Sequence, residues 1–410
     1  MRTIILKKGK EESLKRFHPW VFSGAIWRVD GGRPEEGEVV RVVDAEGNCL
    51  GRGHFQIGSI SVRMLTFEDQ NIDRDFWKSR LREAFSLRKA LGLVVPGRNE
   101  AFRLVHGEGD RLPGLVVDVY GRTAVMQAHS VGMHLSREVI AKALVEVVSE
   151  VSDAPHGHSD LKGFTSGWIE NVFYKSETTL PAKAVLGQEN GYLIGGRGGE
   201  IALENGLRFH IDWREGQKTG FFVDQRENRS LVESYAKGRR VLNMFCYTGG
   251  FSVYALRGGA ERVCSVDSSA RAIELTKENV FLNFGETQRH EACVEDAFKY
   301  LERMGGEYDL IVLDPPAFAK RISALRNALR GYSKLNAAAL RKIRPGGLLF
   351  TFSCSQAVNK DSFRLAVFTA AAQTGRHVRI LHQLHQPSDH PINIFHPEGE
   401  YLKGLVLEVE

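Results

Sequence analysis

No run of apolar residues in this 410-residue chain approaches the roughly 18 to 20 needed to span a bilayer as a helix. The first ten residues hold too short an apolar core for a signal peptide. Cysteine is scarce: the 5 present are scattered, with no Cys-x-x-Cys pair, which argues against a zinc site and against a disulfide framework. A reducing cytoplasm is the expected setting. A full Gly-x-Gly-x-x-Gly is also missing, although the chain has 42 glycines, so no tight pyrophosphate cradle is written into it. A large charge excess is absent too. Lys and Arg number 55 against 50 Asp and Glu, a net charge of +5. That balance permits a nucleic-acid partner without requiring one, and a mixed, solvated surface explains it equally well.

Length suggests two or three domains, and a hydrophobic content of 42% is ordinary for a globular protein. Residues 1–70 alternate short apolar runs with glycine turns. In Val39-Val40-Arg41-Val42-Val43, alternate residues fall on opposite faces, as in a strand, and Ala45-Glu46-Gly47-Asn48 reads as a hairpin turn. Residues 71–188 read as a compact α+β domain. They open on a helical pattern over 71–91 that places Phe76, Leu81, Phe85 and Leu87 on one stripe. A strand at 115–120, a hairpin partner at 125–128 and a second amphipathic helix over 136–148 follow. His156 and His158 stand in a loop-like stretch without further ligands nearby, so no metal is expected.

Residues 189–410 alternate strands and helices. Strands at 240–245, 262–267, 308–313 and 348–352 are followed by helices from 251, over 270–284, up to 343 and over 360–374. The fold class predicted is α/β, a doubly wound, mostly parallel Rossmann-like sheet, with 401–409 as an edge or inserted strand. In such sheets ligands bind at the carboxyl ends of the strands. Gly249-Gly250 lies between the first strand and its helix, where a ligand can approach the backbone closely. Asp267 ends the next strand, where a carboxylate can accept both hydroxyls of a ribose. Asp296 follows the third strand and can accept an adenine amino group. With no phosphate cradle, this order of residues favours S-adenosylmethionine over a dinucleotide. Asp314 begins an Asp314-Pro315-Pro316 turn at the end of the fourth strand, and Cys354 stands just past the fifth. A thiolate beside a carboxylate suits chemistry in which sulfur adds to a ring and the acid manages charge on it, and it points to methyl transfer to a pyrimidine carbon. The alternative for Cys354 is a small buried apolar residue, against which its neighbours Ser353 and Ser355 weigh. Cys264 reads as core, Cys246 as packing beside the glycine loop, and Cys49 and Cys293 lack a catalytic setting. Asp224 reads either as a helix cap or as part of a turn that closes over the cofactor, with Phe221 packing on its apolar parts.

These motifs resemble the large-subunit rRNA methyltransferase family that makes 5-methylcytosine. The likeness rests on 218–226 (Lys-Thr-Gly-Phe-Phe-Val-Asp-Gln-Arg), 246–251 (Cys-Tyr-Thr-Gly-Gly-Phe), Asp314-Pro315-Pro316 and Phe352-Ser353-Cys354-Ser355. It extends to 106–115, to Asp389-His390-Pro391 and to Tyr401-Leu402-Lys403-Gly404, so it spans essentially the whole chain. The resemblance implies that 1–70 is a PUA domain, an RNA-binding pseudobarrel, opened here by His18-Pro19-Trp20-Val21-Phe22-Ser23. Residues 71–188 would be a small middle domain, and 189–410 a class I methyltransferase domain. It implies S-adenosylmethionine as cofactor, held by Thr219, Phe221, Gln225, Tyr247, Gly249, Gly250, Asp267, Asp296 and Asp314, and a cytosine of 23S rRNA as substrate. Arg16, His18, Trp20 and Arg28 are the RNA-binding candidates, unless Trp20 and Trp27 are core. Many related cytosine-C5 enzymes carry a second cysteine after the Asp-Pro-Pro-like turn. Ala317-Phe318 stands there in this chain, which leaves open which base completes the reaction. The resemblance implies no membrane partner and allows a homodimer. The rival readings are a guanine-N2 methyltransferase of the same fold and a non-catalytic RNA-binding assembly factor.

Overall fold

The computed structural model of the chain describes residues 1–152, 168–181, 189–196, 198–319 and 321–410. His156 and His158 lie outside the described residues. The chain forms two compact units. The first holds Met1–Gly206, Ile211–Val223 and Ser388–Gly399, and the second holds Leu207–His210, Asp224–Pro387 and Glu400–Glu410.

The first unit begins with β1 (Thr3–Leu6), α1 (Glu12–Lys15), β2 (Trp20–Phe22), β3 (Ile26–Asp30), β4 (Val39–Val43), β5 (Cys49–Phe55) and β6 (Ile60–Thr66). The strands form one sheet in the order β2-β6-β5-β4-β1-β3. Val40 and Val42 are fully buried and join Ile4, Leu6, Val62 and Met64 in its core. The Asp44 carboxylate accepts the N–H groups of Glu46 and Asn48, which shapes the β4–β5 turn. Next comes α2 (Arg74–Ala90), capped by Asp73, whose carboxylate accepts the N–H of Phe76. Phe76, Leu81 and Phe85 are buried, but Leu87 is 40% exposed. The helical period carries the inward stripe from Trp77 through Leu81 and Ala84 to Arg88, so Leu87 falls on the solvent side.

Arg88 is fully buried. Its guanidinium makes a forked pair with Asp110 and donates to the carbonyls of Arg103 and Asp389. The Asp389 carboxylate accepts the Arg103 N–H at 3.0 Å, so the 389–391 motif is tied into this unit's interior. Replacing Arg88 by Met would strand the Asp110 charge, whose side chain is 3% exposed. The expected loss is about 3–5 kcal/mol of folding stability, read by urea unfolding. A loss within about 1 kcal/mol would show that the pair is not holding the unit together.

A second sheet of this unit has β7 (Ala101–His106), β8 (Leu115–Tyr120), β9 (Thr123–Ala128), β10 (Asn171–Tyr174) and β11 (Gly191–Ile194), in the order β11-β10-β9-β8-β7. Gly121, at φ 57°, makes the β8–β9 turn. α3 (Val131–Leu135) and α4 (Arg137–Ser152) follow β9, and Met133, Ile140, Leu144, Val147 and Val148 join Leu81 and Phe85 in a common core. β12 (Ile201–Glu204) ends this part of the chain.

The second unit opens with β13 (Leu207–His210), α5 (Arg226–Tyr235), β14 (Arg240–Met244), α6 (Gly250–Arg257), β15 (Arg262–Asp267) and α7 (Ala270–Phe284). It continues with β16 (His290–Val294), α8 (Ala297–Arg303), β17 (Leu310–Leu313), α9 (Leu325–Lys342), β18 (Gly347–Ser353), α10 (Lys360–Thr374), β19 (Val378–His385) and β20 (Lys403–Val409). The sheet order is β16-β15-β14-β17-β18-β20-β19. β14, β15, β16, β17 and β18 pair in parallel, while β20 runs antiparallel between β18 and β19. The final segment is therefore inserted rather than at the edge. Gly404 allows this close pairing, because a Cβ there would lie 2.5 Å from the Phe352 ring. Among the described residues no helix is long and apolar enough to cross a membrane.

Candidate active site

Residue pairing along the second sheet sets the heights of the strand ends. Met244 pairs with Val266 and with Leu313, and Leu313 pairs with Thr351. The residues that follow these positions, Phe245, Asp267, Asp314 and Phe352, thus lie level across adjacent parallel strands. Cys354 stands two residues further, at the same carboxyl rim.

The loop from Phe245 to Gly249 bends sharply. Phe245 has φ 56°, Tyr247 φ 49° and Gly249 φ 76°. Left-handed backbone at two residues other than glycine costs of order 1–3 kcal/mol each and is held only by its surroundings. Here α7 supplies the hold. Thr276 Oγ1 donates to the Tyr247 carbonyl at 2.9 Å, and Asn279 Nδ2 donates to the Thr248 carbonyl at 2.8 Å. A Cβ at Gly249 would come within 2.7 Å of Thr276 Cγ2, so only glycine fits. Asp267 completes the frame by accepting the N–H of Tyr247 at 3.0 Å and that of Ser269 at 2.9 Å. Neither Thr276 nor Asn279 was among the site residues expected from sequence, since polar residues on a helix read as solvent-facing.

Asp296 is exposed and caps α8, accepting the N–H groups of Phe298 and Lys299. Asp314 accepts from Gln225 Nε2 at 3.0 Å, and Gln225 Oε1 accepts from Asn228 Nδ2 at 2.6 Å. The turn before α5 is thereby joined to the Asp-Pro-Pro turn. Asp224 is not at the cap position of α5. Gln225 holds the cap position of α5, and Asp224 accepts from the Tyr401 hydroxyl at 2.7 Å. Thr219 and Phe221 belong to the first unit, where Thr219 Oγ1 donates to Asp118 at 2.6 Å and Phe221 is buried.

Cys354 is partly exposed, while the serines on either side are buried. Ser353 Oγ bonds the Tyr332 hydroxyl at 2.9 Å, and Ser355 Oγ donates to the Ala319 carbonyl. These bonds fix the backbone on both sides of the sulfur. The other cysteines differ in kind. Burial pushes the Cys246 thiol up to about 12 and the Cys264 thiol also up to about 12, which makes both poor thiolates at neutral pH. Cys49 and Cys293 are partly buried. Among the described residues no cluster of His, Cys, Asp and Glu could hold a metal ion.

In the first unit the RNA candidates separate into two places. Trp20 donates its indole N–H to Glu108 at 2.9 Å, and its ring lies 4.3 Å from that of His396. The His18 ring lies 5.7 Å from His396 and 6.1 Å from Phe22. Arg28 stacks on the Trp27 ring at 4.6 Å and pairs with Asp30 at 3.2 Å, and Arg16 is exposed. Trp27 is 57% exposed and is not a core residue.

Residues 197–398 match the S-adenosylmethionine-dependent methyltransferase family, and residues 4–67 match the PUA-like domain. A chain from Tolumonas auensis is 40% identical over 99% of this chain and 98% of its own length; it is a ribosomal RNA large subunit methyltransferase I. Its namesake from Alteromonas mediterranea is 39% identical with the same coverage. The chain belongs to the ribosomal RNA large subunit methyltransferase I family. Two solved structures share the fold at 21% identity over 100% of both chains. One, from Streptococcus mutans and assigned to the SAM-dependent methyltransferases, has a TM-score of 0.80. The other, with a TM-score of 0.81, was solved in complex with SAH.

Membership makes this an S-adenosylmethionine-dependent enzyme with a Rossmann-like catalytic unit and an N-terminal PUA-like domain. The left-handed 245–249 loop lies at the carboxyl rim, where sheets of this class take their ligands. It brings backbone close to the rim where a Cβ at Gly249 would be excluded, and it leads straight into the N-terminus of α6. Asp267 stands beside it with its carboxylate already aimed at the loop.

Proposed function

We propose that this chain methylates C5 of a cytosine in 23S rRNA through a covalent adduct with Cys354. One observation carries the reading. A partly exposed cysteine is held at the strand-end rim by two buried serines, and Asp314 ends the neighbouring strand. The relatives' shared name supports a large-subunit rRNA substrate.

C5 of cytosine is a poor nucleophile. Addition of the Cys354 thiolate at C6 turns the ring into an enamine whose C5 is nucleophilic. Asp314, oriented by Gln225, accepts from the amino group through one oxygen and, as a carboxylic acid, gives its proton to N3 as the sulfur adds, so that no anion is left on the ring. When bound, S-adenosylmethionine supplies an electrophilic methyl group. Removal of the C5 proton by a base then lets the Cys354 sulfur leave and restores the ring. Asp267 and the loop at Tyr247, Gly249 and Gly250 would hold the cofactor's ribose and amino-acid ends, and Asp296 would meet its adenine. The test is mass mapping of 23S rRNA from cells with and without this protein, joined to digestion of RNA methylated in vitro. A 5-methylcytosine that appears only with the protein is expected. A methylated guanine would instead select the guanine-N2 rival.

In this reading the first unit binds RNA, with Arg16, His18, Trp20 and Arg28 as contacts. Trp20→Ala should weaken binding of an rRNA fragment by about 1–3 kcal/mol, the usual worth of one base–aromatic stack. Trp20→Phe keeps a stacking face but loses the N–H to Glu108, and it should bind RNA nearly as wild type. SAH affinity should be the same in all three proteins. Full RNA affinity in Trp20→Ala would remove Trp20 from the interface.

A further inference from the structure

We propose that Lys403 is a positioning residue for the Cys354 thiolate. Its buried ammonium pins the loop that carries the sulfur and places a positive charge behind it. This inference rests on reading Cys354 as the nucleophile.

Lys403 opens β20, the strand inserted between β18 and β19, and pairs there with Ser353 on one side and His385 on the other. Its residue is 6% exposed. A buried amine is costly unless bonded, and Lys403 Nζ donates to the Ser355 carbonyl at 2.6 Å and to the Val358 carbonyl. Both acceptors lie just beyond Cys354, in the loop from β18 to α10. They are neutral. Among the described residues Lys403 has no ion-pair partner; the neighbouring acid Glu400 is paired with Lys360 at 2.5 Å. The ammonium is therefore a buried charge with no carboxylate in ion-pair contact among the described residues; Cys354 and, less strongly, the Glu400 carboxylate act on it and raise its pKa. That coupling works in both directions, so the ammonium favours the thiolate.

The groups facing this pair set its pH behaviour. Burial pulls Lys403 down to about 8, while Cys354 and Glu400 raise it and Lys360 lowers it. His385 lies across the strand pair, and the Tyr332 hydroxyl, which burial pushes up to about 12, is acted on by both Cys354 and Asp314. Below about pH 8 Lys403 keeps its charge and the thiolate is favoured. As the pH rises through that value the charge is lost and the assistance fades.

Alkylation of full-length protein by iodoacetamide, followed at the Cys354 peptide by mass spectrometry from pH 5 to 10, reads the thiolate directly. The wild-type midpoint should lie below the ordinary cysteine value of roughly 8.5. In Lys403→Met it should rise by about one unit or more, a roughly tenfold slower reaction at pH 7. Lys403→Arg keeps the charge at every pH and should restore the low midpoint. An unmoved midpoint in folded Lys403→Met overturns the proposal. If that variant does not fold, a wild-type midpoint at or above the ordinary cysteine value overturns it instead. Methylation assays of Cys354→Ser separate the two claims. Activity retained there removes the nucleophile role whatever Lys403 does, whereas activity lost there with an unmoved Lys403→Met midpoint removes only the role of Lys403.

Discussion

Cys354→Ala is expected to lose methyl transfer to RNA by roughly 10⁴-fold or more, the scale seen when a covalent nucleophile is removed. Cofactor affinity should not change, because the sulfur attacks the base and not S-adenosylmethionine. Stability should shift by less than about 1 kcal/mol, since Cys354 lies past the last residue of β18 and is only partly buried. The bonds of Ser353 and Ser355 that frame it would survive the change. RNA carrying 5-fluorocytosine gives a second readout. Fluorine at C5 blocks the final proton loss, so the thioether to C6 cannot break, and wild-type protein should be trapped on the RNA while Cys354→Ala is not. Near-normal methylation by Cys354→Ala would mean direct attack by a nitrogen or oxygen of the base, and the guanine-N2 reading would gain ground.

The α/β alternation was legible because buried parallel strands are continuous apolar runs closed by turn residues. β15 (Arg262–Asp267), α7 (Ala270–Phe284) and α10 (Lys360–Thr374) fall where the sequence pattern puts them. β19 (Val378–His385) was not anticipated. It is an edge strand with every residue partly or fully exposed, so neither an apolar run nor a clean alternation marks it. Leu87 shows the limit of stripe counting, since Arg88 is drawn inward by Asp110 against its usual preference. The rim placement of Asp267, Asp314 and Cys354 could be read because strand ends are fixed by the strands themselves. Thr276, Asn279 and Lys403 could not, because their roles depend on which helix face or strand packs behind the rim. Buried polar residues of that kind look in sequence like an ordinary solvated surface.

Asp267→Ala is expected to weaken S-adenosylmethionine and SAH binding by roughly 1.5 to 3 kcal/mol, or about 10- to 150-fold, the loss of a charged acceptor for hydroxyl groups. The geometry adds a second consequence. The same carboxylate accepts the N–H of Tyr247 at 3.0 Å and so helps hold a loop whose backbone is left-handed at Phe245, Tyr247 and Gly249. Removing it should therefore also lower folding stability, by about 0.5–1.5 kcal/mol for each bond lost. The two effects separate on Asp267→Asn. The amide oxygen can still accept the Tyr247 N–H, which restores most of the stability, but without charge it is a weaker acceptor for a ribose diol. Titration calorimetry with SAH, run beside urea unfolding, should rank affinity as wild type, then Asn, then Ala, with stability recovered in Asn. Equal SAH affinity in all three would leave Asp267 as a loop anchor alone and would move the ribose contact elsewhere on the rim.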